Sequence, residues 1–324
     1  MKVYPLKSSL IRSLLMTAFA VLFAALATVS HAQIFVSNSD AGTIGKYNAD
    51  GTVVNTSYIT TGGQPYGMTL NGTDLYVGTL GTSVINKYNA TSGATISAPL
   101  QNWAAAVSDV AYYNGNIYAA YYGANKVGAY SATVPQSVIS HNFITGIPTD
   151  HGIAITVGGI LYVTSYINSI NTPNSGTVGS YNATTGAAIN ASLITGLTNP
   201  WGLAVDASGN IYVASDVAGT SGFVGKYSSL GATLNATLIT GLDRPLYLAL
   251  DGSGDIFVSN YGSGIIGEYT TSGGNVNASL ISGLTHPTGI AVFAAVPEPS
   301  SVALLCLGAG AIAWLVRRKT QTVA

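Results

Sequence analysis

Cysteine is almost absent from this chain of 324 residues, which contains only Cys306. That residue lies in an apolar stretch near the C-terminus. The rest of the chain therefore has no intrachain disulfide, no thiolate nucleophile and no cysteine metal site. Its stability must come from its packed core and from the way the fold closes on itself.

Charged residues are also scarce, at 7% of the chain. Because six of the eleven basic residues lie near the two ends, residues 33–295 keep five basic side chains against eleven carboxylates, a net charge of −6. This acidic balance argues against binding to nucleic acid or to an anionic membrane surface. Solubility then depends on Asn, Thr, Ser and Gly, which is typical of an extracellular β-rich protein.

Several catalytic motifs are missing from the sequence. It contains no His-Glu-x-x-His zinc motif, no Gly-x-Ser-x-Gly nucleophile elbow and no phosphate-binding loop. These absences argue against the commonest metalloprotease, serine hydrolase and nucleotide-binding classes.

What the sequence does contain is an internal repeat. A strand-like motif, with an aliphatic residue followed by an aromatic one, recurs at spacings of 41, 42, 44, 50 and 45 residues. Its six copies begin at Ile34, Leu75, Ile117, Leu161, Ile211 and Ile256. A period in the low forties, rich in β-branched and aromatic residues and broken by Gly, Asn and Asp, is typical of a β-propeller blade.

The register of the repeat predicts how the ring closes. The first repeat begins at Ile34 on its second strand, and no inner strand precedes it. The last complete repeat is followed by one extra strand, residues 289–293. We therefore predict an all-β, six-bladed β-propeller over residues 33–295, in which the extra strand completes the first blade.

Segment 200–215 (Pro-Trp-Gly-Leu-Ala-Val-Asp-Ala-Ser-Gly-Asn-Ile-Tyr-Val-Ala-Ser) resembles the NHL repeat family, and residues 286–292 do so more loosely. The resemblance implies a six-bladed propeller. It leaves the activity open, because the superfamily includes binding scaffolds, lactonases, lyases and sensor domains. Gluconolactonase-type relatives hold a divalent metal with a glutamate, and Glu268 does not match that position. Glu268 takes the place of Lys46, Lys87 and Lys226 in other repeats, and we expect it at an ordinary surface position.

The mouth of the central channel is the expected ligand site. In an antiparallel blade, the loop leading into the inner strand and the loop following the second strand lie on the same face. The candidate ligand-binding residues in these loops are Tyr66, Asp150, His151, Trp201, Asp216, Arg244, Asn260, Tyr261 and His286. A wider set around the mouth adds Asn38, Asp40, Asp109, Tyr121, Tyr166 and Asp243.

Two interpretations of these residues stay open. His151 and His286, with an aspartate, can serve as acid, base or metal ligands, and Arg244 can hold an anion. Alternatively, such side chains only hydrogen-bond to turn backbone, which we favour. An enzyme should gather at least three of these groups in one dry pocket; the groups in question are Asp109, Asp150, His151, Asp216, Arg244 and His286.

No catalytic residue, metal site or cofactor is predicted. The only segment that suggests a divalent metal such as calcium is 251–255, Asp-Gly-Ser-Gly-Asp. That segment lacks the other ligands of a calcium loop and occupies the position of a hairpin turn, which we predict instead.

The N-terminal residues 1–32 form a predicted secretory signal peptide. Lys2, Lys7 and Arg12 precede the apolar stretch 14–29, and Ser30-His31-Ala32 is a small-x-small cleavage site before Gln33. This order of basic, apolar and small residues is typical of such peptides.

The C-terminal residues 296–324 contain Val296-Pro297-Glu298-Pro299, an apolar stretch at 300–316 and a basic cluster that begins with Arg317 and Arg318. As a helix the apolar stretch reaches roughly 25 Å, at the short end of what spans a bilayer. The basic cluster is expected to stay in the cytoplasm. The layout resembles the PEP-CTERM sorting tail. The resemblance implies cleavage near Pro-Glu-Pro by an exosortase-type enzyme in the inner membrane of a Gram-negative bacterium.

These features favour an exported, non-enzymatic propeller at the cell surface or in the extracellular polysaccharide matrix of a biofilm. The matrix role is implied by the sorting tail, and the partner is a polysaccharide or another surface protein. The alternative is a lactonase-like hydrolase or lyase with a site at the channel mouth. An insertion in the fourth repeat, residues 167–175, is a secondary candidate for partner contact.

Overall fold

The computed structural model describes residues 32–100, 105–133, 137–148, 150–166, 175–217 and 221–293. The predicted signal peptide up to residue 31, the C-terminal residues 296–324 with the helix predicted at 300–316, and most of the insertion at 167–175 lie outside the described residues. Within the described ranges, no helix is long and apolar enough to cross a membrane.

The described residues form 24 strands in six four-stranded antiparallel sheets, the blades. Blade 1 consists of β24 (Pro287–Phe293), β1 (Gln33–Asn38), β2 (Thr43–Asn48) and β3 (Val53–Thr60). Blade 2 consists of β4 (Pro65–Asn71), β5 (Asp74–Thr79), β6 (Ile85–Asn89) and β7 (Thr95–Leu100). Blade 3 consists of β8 (Val107–Tyr113), β9 (Asn116–Tyr121), β10 (Lys126–Ser131) and β11 (Val138–Thr145).

Blade 4 consists of β12 (Asp150–Ile155), β13 (Ile160–Ser165), β14 (Gly176–Asn182) and β15 (Ala188–Leu197). Blade 5 consists of β16 (Pro200–Val205), β17 (Ile211–Ser215), β18 (Gly222–Tyr227) and β19 (Thr233–Leu242). Blade 6 consists of β20 (Pro245–Leu250), β21 (Asp255–Asn260), β22 (Ile265–Thr270) and β23 (Asn275–Ile281). Within each blade the order given runs from the inner to the outer strand.

The ring closes as the register predicts. Strand β24 pairs with β1, with Ile34 opposite Val292 and Val36 opposite Ile290. The inner strands contact one another in the order β4, β8, β12, β16, β20 and β24, and β24 in turn contacts β4. The C-terminal strand therefore completes the first blade, so that the ring of inner strands has no free edge.

In blades 5 and 6, an aspartate builds the tight turn between the inner and second strands. Asp206 Oδ1 accepts hydrogen bonds from the backbone N–H groups of Ser208 (2.9 Å) and Asn210 (2.8 Å). Asp251 Oδ1 does the same for Ser253 (2.8 Å) and Asp255 (3.0 Å). The segment that resembles a calcium loop is therefore a hairpin turn, as predicted, and its first carboxylate binds backbone amides.

The core lies between neighbouring blades, so the second strands are buried on both faces. The aromatic second residue of each repeat motif is at most 2% exposed, and the six are Phe35, Tyr76, Tyr118, Tyr162, Tyr212 and Phe257. Two of the tyrosine hydroxyls donate to carbonyls of the next blade, from Tyr76 to Ala132 (3.3 Å) and from Tyr118 to Ala183. These aromatic side chains therefore bury a large apolar area and also satisfy the backbone of the adjoining turn.

Glu268 was expected at an ordinary surface position, but its side chain is half-buried. In blades 1 and 2 the same position holds Lys46 and Lys87, which are each 6% exposed. Their Nζ atoms reach backbone carbonyls of the next blade, those of Ala90 (3.4 Å) and Ala132 (3.5 Å). The position is thus a contact between blades, and the repeat pattern alone did not reveal it. Burial, together with the charges of nearby Asp255 and Asp251, raises the pKa of Glu268.

The Lys87→Met substitution is expected to lower the free energy of unfolding by about 2–4 kcal/mol. Lys87 pairs with Asp74 at 2.8 Å, and its side chain is 7% exposed. Burial alone lowers the pKa of Lys87, but its hydrogen bonds with Asp74 and Tyr76 hold the pKa above the ordinary value. The methionine leaves Asp74 without its cation. Urea denaturation of the variant measures the loss.

The matched control is Lys226→Met. Lys226 Nζ donates to the carbonyl of Thr271 at 3.0 Å. Among the described residues no carboxylate forms an ion pair with Lys226. The control should therefore cost only about 1 kcal/mol, the net value of one hydrogen bond. Equal losses in the two variants would contradict a stabilising role of the Lys87–Asp74 pair.

Candidate functional site

Two sets of loops meet at one face of the ring, around the mouth of the channel. In every blade the residue after the second strand donates its backbone N–H to a carbonyl just before the inner strand, at 2.9–3.3 Å. The six donor and acceptor pairs are Ser39 and His286, Leu80 and Gln64, Tyr122 and Ala106, Tyr166 and Pro148, Asp216 and Asn199, and Tyr261 and Arg244. The repeated bond joins the two loops of each blade and holds their side chains around the mouth.

Aromatic side chains from opposite blades meet over the channel axis. The ring of Tyr66, from blade 2, lies 6.5 Å from that of Trp201 in blade 5 and 6.3 Å from that of Tyr247 in blade 6. Trp201 also stacks on Tyr122 of blade 3, with ring centroids 6.4 Å apart. We call Tyr66, Tyr122, Trp201 and Tyr247 the aromatic platform. The platform covers the axis at this face with apolar ring surface.

A strip of paired charges and rings runs beside the platform across blades 5, 6 and 1. Arg244 donates to Asp216 through Nε (3.2 Å) and Nη2 (3.3 Å), and its guanidinium lies 4.9 Å from the ring centre of Tyr261. Tyr261 stacks on His286 with centroids 4.4 Å apart, and His286 Nδ1 lies 2.5 Å from Asp40 Oδ2. We call these five residues the polar strip. Arg244 and His286 are each paired with a carboxylate, and both lie against the ring of Tyr261.

The backbone of the strip is held in an unusual conformation. Asn199, Arg244 and His286 occupy the same position in blades 5, 6 and 1, and each precedes a proline. Their φ angles are +40°, +52° and +51°. Proline disfavours the α conformation in the preceding residue, and a positive φ is uncommon for arginine. The surrounding loop bonds therefore fix Arg244 and His286 in orientations that the chain alone would rarely adopt.

Tyr66 lies where the platform meets the polar strip. Burial raises the pKa of its hydroxyl well above the ordinary value, and Tyr261, Tyr122 and Asp40 raise it further, whereas Arg244 opposes them. The Tyr66 hydroxyl is therefore protonated at physiological pH and can both donate and accept a hydrogen bond.

The channel below the platform is closed by one side chain. Tyr247 extends from blade 6 to the opposite blade 3, where its hydroxyl donates to the carbonyl of Ser108 at 2.5 Å. The corresponding position holds glycine in four blades. A Cβ on Gly202 would lie 2.5 Å from the carbonyl oxygen of Leu246, and one on Gly289 would lie 2.1 Å from that of Tyr66. Only blades 3 and 6 carry side chains here, Asp109 and Tyr247, and these two extend into the channel.

Asp109 is enclosed beneath this crossing. Its Oδ1 and Oδ2 accept hydrogen bonds from the backbone N–H groups of Val110 (2.9 Å) and Ile153 (3.0 Å). Burial raises the pKa of Asp109 to about 8, although both hydrogen bonds oppose the shift. With Tyr247 and the inner strands it lines a cavity of about 320 Å³. Asp109 was expected in a loop at the mouth, but it lies in strand β8 inside the channel.

The structure places the other predicted site residues in three ways. Tyr66, Trp201, Asp216, Arg244, Tyr261 and His286 lie together at the mouth. Asn260 and Asn38 end their second strands and are buried, at 4% and 6% exposure. The backbones of Asp150 and His151 begin strand β12, and their side chains lie outside the described part of the structure.

Tyr121 was predicted at the mouth, and this prediction is wrong by one residue. Tyr121 is 1% exposed and its hydroxyl contacts that of Tyr130 inside the protein. The next residue, Tyr122, faces the mouth. Because side chains alternate between faces along a strand, an error of one position moves the side chain from one side to the other. The signal that could have found Tyr122 is its alignment with Asp216 and Tyr261, which occupy the same repeat position.

The arrangement is suited to binding polar ligands with apolar faces. Asp216, Arg244 and His286 lie on one strip, but Arg244 and His286 are 42% and 44% exposed, so this is not a dry pocket. Asp109 is separated from them inside the channel. In the part of the chain that the structure describes, no three His, Cys, Asp or Glu side chains are grouped so that they could hold a metal ion.

Residues 295–319 match the family model of the PEP-CTERM protein-sorting motif. The match covers the predicted Pro-Glu-Pro signal, the apolar stretch and the basic cluster. It identifies the protein as an exported one with a membrane-anchored precursor.

No curated protein matches the chain in sequence. The propeller is similar to a chain in the crystal structure of a nidogen/laminin complex, with a TM-score of 0.66 and 13% identity over 82% of this chain and 98% of that chain. It is also similar to a functionally unknown protein from Desulfotomaculum acetoxidans DSM 771, with a TM-score of 0.57 and 19% identity over 82% of this chain and 100% of that chain.

At these identities the structural likeness establishes the fold alone, a six-bladed propeller. Membership of the NHL family itself stays a prediction. The chain is thus an exported six-bladed β-propeller with a PEP-CTERM sorting tail, which an exosortase-type enzyme processes.

Proposed function

We propose that the protein is a non-enzymatic glycan-binding component of the cell surface or extracellular matrix. The observation that carries the proposal is the aromatic platform lying beside the polar strip. The C–H face of a sugar ring packs well on an aromatic ring, and its hydroxyls need planar polar groups at the edge of the contact. The mouth offers both on a surface that loop hydrogen bonds hold in place.

The exported location supports this assignment. The sorting tail brings the propeller to the outside of the inner membrane, where polysaccharides are abundant ligands. In this proposal, the glycan bound at the mouth retains the protein at the cell surface or in a biofilm matrix. Processing by an exosortase-type enzyme would then release or attach a glycan-binding module.

The hydrolase or lyase alternative receives less support from the same geometry. Its expected chemistry needs three of the predicted titratable groups in one water-excluded pocket. Of those with described side chains, Asp109 is enclosed in the channel, whereas Asp216, Arg244 and His286 lie on the rim. Arg244 and His286 are occupied by Asp216 and Asp40. This pairing favours positioning of a bound ligand over proton transfer to it.

The Trp201→Ala substitution is expected to weaken glycan binding at least tenfold, because it removes the largest ring of the platform. Isothermal titration of the purified protein with neutral oligosaccharides, chosen from a glycan-array screen, measures the loss. The control is Leu230→Ala, since Leu230 is 86% exposed at a turn between the third and outer strands, on the opposite face. If the Trp201 variant binds glycan as tightly as the unmodified protein, the platform is not part of the glycan site. Turnover of a bound glycan or lactone by the intact protein would favour the enzyme alternative.

A further inference from the structure

A polar groove lies next to the mouth, between blades 1 and 2. It has a volume of about 410 Å³ and begins at Ser39 and Asp40. Asp40 is also the last member of the polar strip, where it pairs with His286. The groove and the strip therefore form one continuous surface that leads from the aromatic platform to the edge of the ring.

The walls of the groove consist of small and polar residues. Four of the ten lining residues are glycines, and the others include Asp40, Thr60, Gln64 and Thr82. A Cβ added to Gly62 would have no atom within 4 Å, and one on Gly81 would meet only the backbone nitrogen of Gln64 at 3.7 Å. Gly62 and Gly81 therefore leave open space in which a ligand can approach the backbone closely.

Hydrogen bonds make the groove rigid before any ligand binds. The Thr61 hydroxyl lies 3.0 Å from the carbonyl oxygen of Gly42 and 2.7 Å from that of Gly63, so it joins two of the walls. On the facing loop, the hydroxyls of Thr79 and Thr82 lie 2.7 Å apart. A preorganised groove loses little conformational entropy on binding, which favours an extended ligand with many weak contacts.

The charges around this path disfavour an anionic ligand. Asp40 and Asp216 stand at the two ends of the polar strip, and Asp243 lies half-buried beside Gly262. The two basic side chains of the strip, Arg244 and His286, are already paired with Asp216 and Asp40. The whole of residues 33–295 has a net charge of −6. These negative charges would repel a polymer of uronic acids or sulfated sugars. Because both basic side chains of the strip are already paired, neither would offset the repulsion.

We infer that the groove extends the glycan site and that the ligand is a linear, neutral polysaccharide. This inference rests on the proposed function and deepens it. One sugar of the chain stacks on the platform, the next crosses the polar strip over His286 and Asp40, and further sugars lie in the groove between blades 1 and 2. Asp40, Gln64 and Thr82 supply hydrogen-bond partners for their hydroxyls.

The test measures affinity against chain length, with neutral glucan and mannan oligosaccharides of two to six sugars. For the intact protein we expect the affinity to rise at least tenfold from the disaccharide to the hexasaccharide. The variant Gly81→Leu fills the groove at a position where no positive φ is required. It should bind the disaccharide as the unmodified protein does, but lose the gain with length.

The matched control is Gly158→Leu, which adds the same side chain at an exposed turn of blade 4, between its inner and second strands. It should leave the whole length series unchanged. The inference that the groove binds sugars would be overturned if the hexasaccharide bound no better than the disaccharide. It would also be overturned if the Gly81 variant kept the full gain in affinity with chain length. If oligouronates bound as tightly as neutral chains, the inference that the ligand is neutral would be overturned. Failure of every oligosaccharide, short ones included, would instead refute the proposed function itself.

Discussion

A chain that ends at Thr285 is expected to lose the cooperative fold of the propeller. The truncation removes strand β24, whose residues Ile290 and Ala291 are about 5% exposed and pack against β1 and β4. It also exposes Ile34 and Val36 along the unpaired edge of β1. Each large apolar side chain that becomes exposed costs about 1.5–3 kcal/mol, and each lost ladder hydrogen bond about 0.5–1.5 kcal/mol. The sum is on the order of 10 kcal/mol, which equals the whole stability of a typical domain.

The control is a chain that ends at Phe293, which keeps β24 and lacks only the residues after it. Thermal unfolding followed by circular dichroism should give one sharp transition for the control and none for the shorter chain. A separate peptide of residues 286–293 should restore part of the transition when added in excess, because it can pair with β1. A sharp transition in the shorter chain, at a temperature close to that of the control, would mean that closure by β24 contributes little.

The stability of the propeller is expected to fall as the pH rises from about 5 to 8, and Asp109 is the cause. Burial raises its pKa in the folded protein to about 8, whereas the ordinary value of 3.8 applies to the unfolded chain. Below pH 3.8 the carboxyl is protonated in both states, and its contribution to stability is fully present. Between pH 3.8 and 8 only the unfolded chain releases the proton, so the free energy of unfolding decreases with rising pH. Above about pH 8 both states are ionised and the decrease ends.

The expected size of this effect is large enough to measure directly. The slope is about 1.4 kcal/mol per pH unit, so roughly 3 kcal/mol is lost between pH 5.5 and 8. For a domain of this size the loss corresponds to roughly 6–12 °C in Tm. The aspartates that build the hairpin turns have lowered pKa values, so they are ionised throughout this range and do not mask the effect.

The Asp109→Asn variant separates the contribution of this carboxyl from all others. Asparagine offers one acceptor oxygen, so one of the amides of Val110 and Ile153 loses its partner, at a cost of about 1–3 kcal/mol. The variant should therefore be less stable than the natural protein at pH 5.5 but show a much smaller decline towards pH 8.5. The two curves of Tm against pH should converge or cross. Parallel curves would mean that Asp109 does not titrate between these pH values.

Much of the fold follows from the repeat because its blades obey local rules. The six copies of the strand motif predict six blades, and the extra strand at 289–293 predicts the closure that β24 makes with β1. The turn at segment 251–255 was also predictable, since Asp251 matches Asp206 in the neighbouring repeat and both accept hydrogen bonds from nearby amides. In each case the interaction joins residues close in sequence or related by the period of the repeat.

The errors occur where one blade faces another. Lys46 and Lys87 look like polar residues on an exposed strand, but their side chains lie between blades, where each reaches a carbonyl of the neighbouring turn. Tyr121 and Tyr122 are adjacent tyrosines, and only the register of β9 decides which one is buried and which one reaches the mouth. The period of the repeat predicts the strand, but it does not predict which face of the blade each tyrosine occupies, because Tyr121 and Tyr122 are the same residue type.

The amino-acid sequence by itself determined the sorting tail, the number of blades and the strand that closes the ring, because each depends on local pattern or on the repeat. Tertiary structure alone decided the composition of the mouth. Tyr247 and Ser108 are 139 residues apart, and they meet because blades 6 and 3 stand opposite each other in a ring of six. The same geometry brings Tyr66 to Trp201, whereas the closure of blade 1 by β24 brings Asp40 to His286. No local rule relates these residues, so only the closed ring makes them one site.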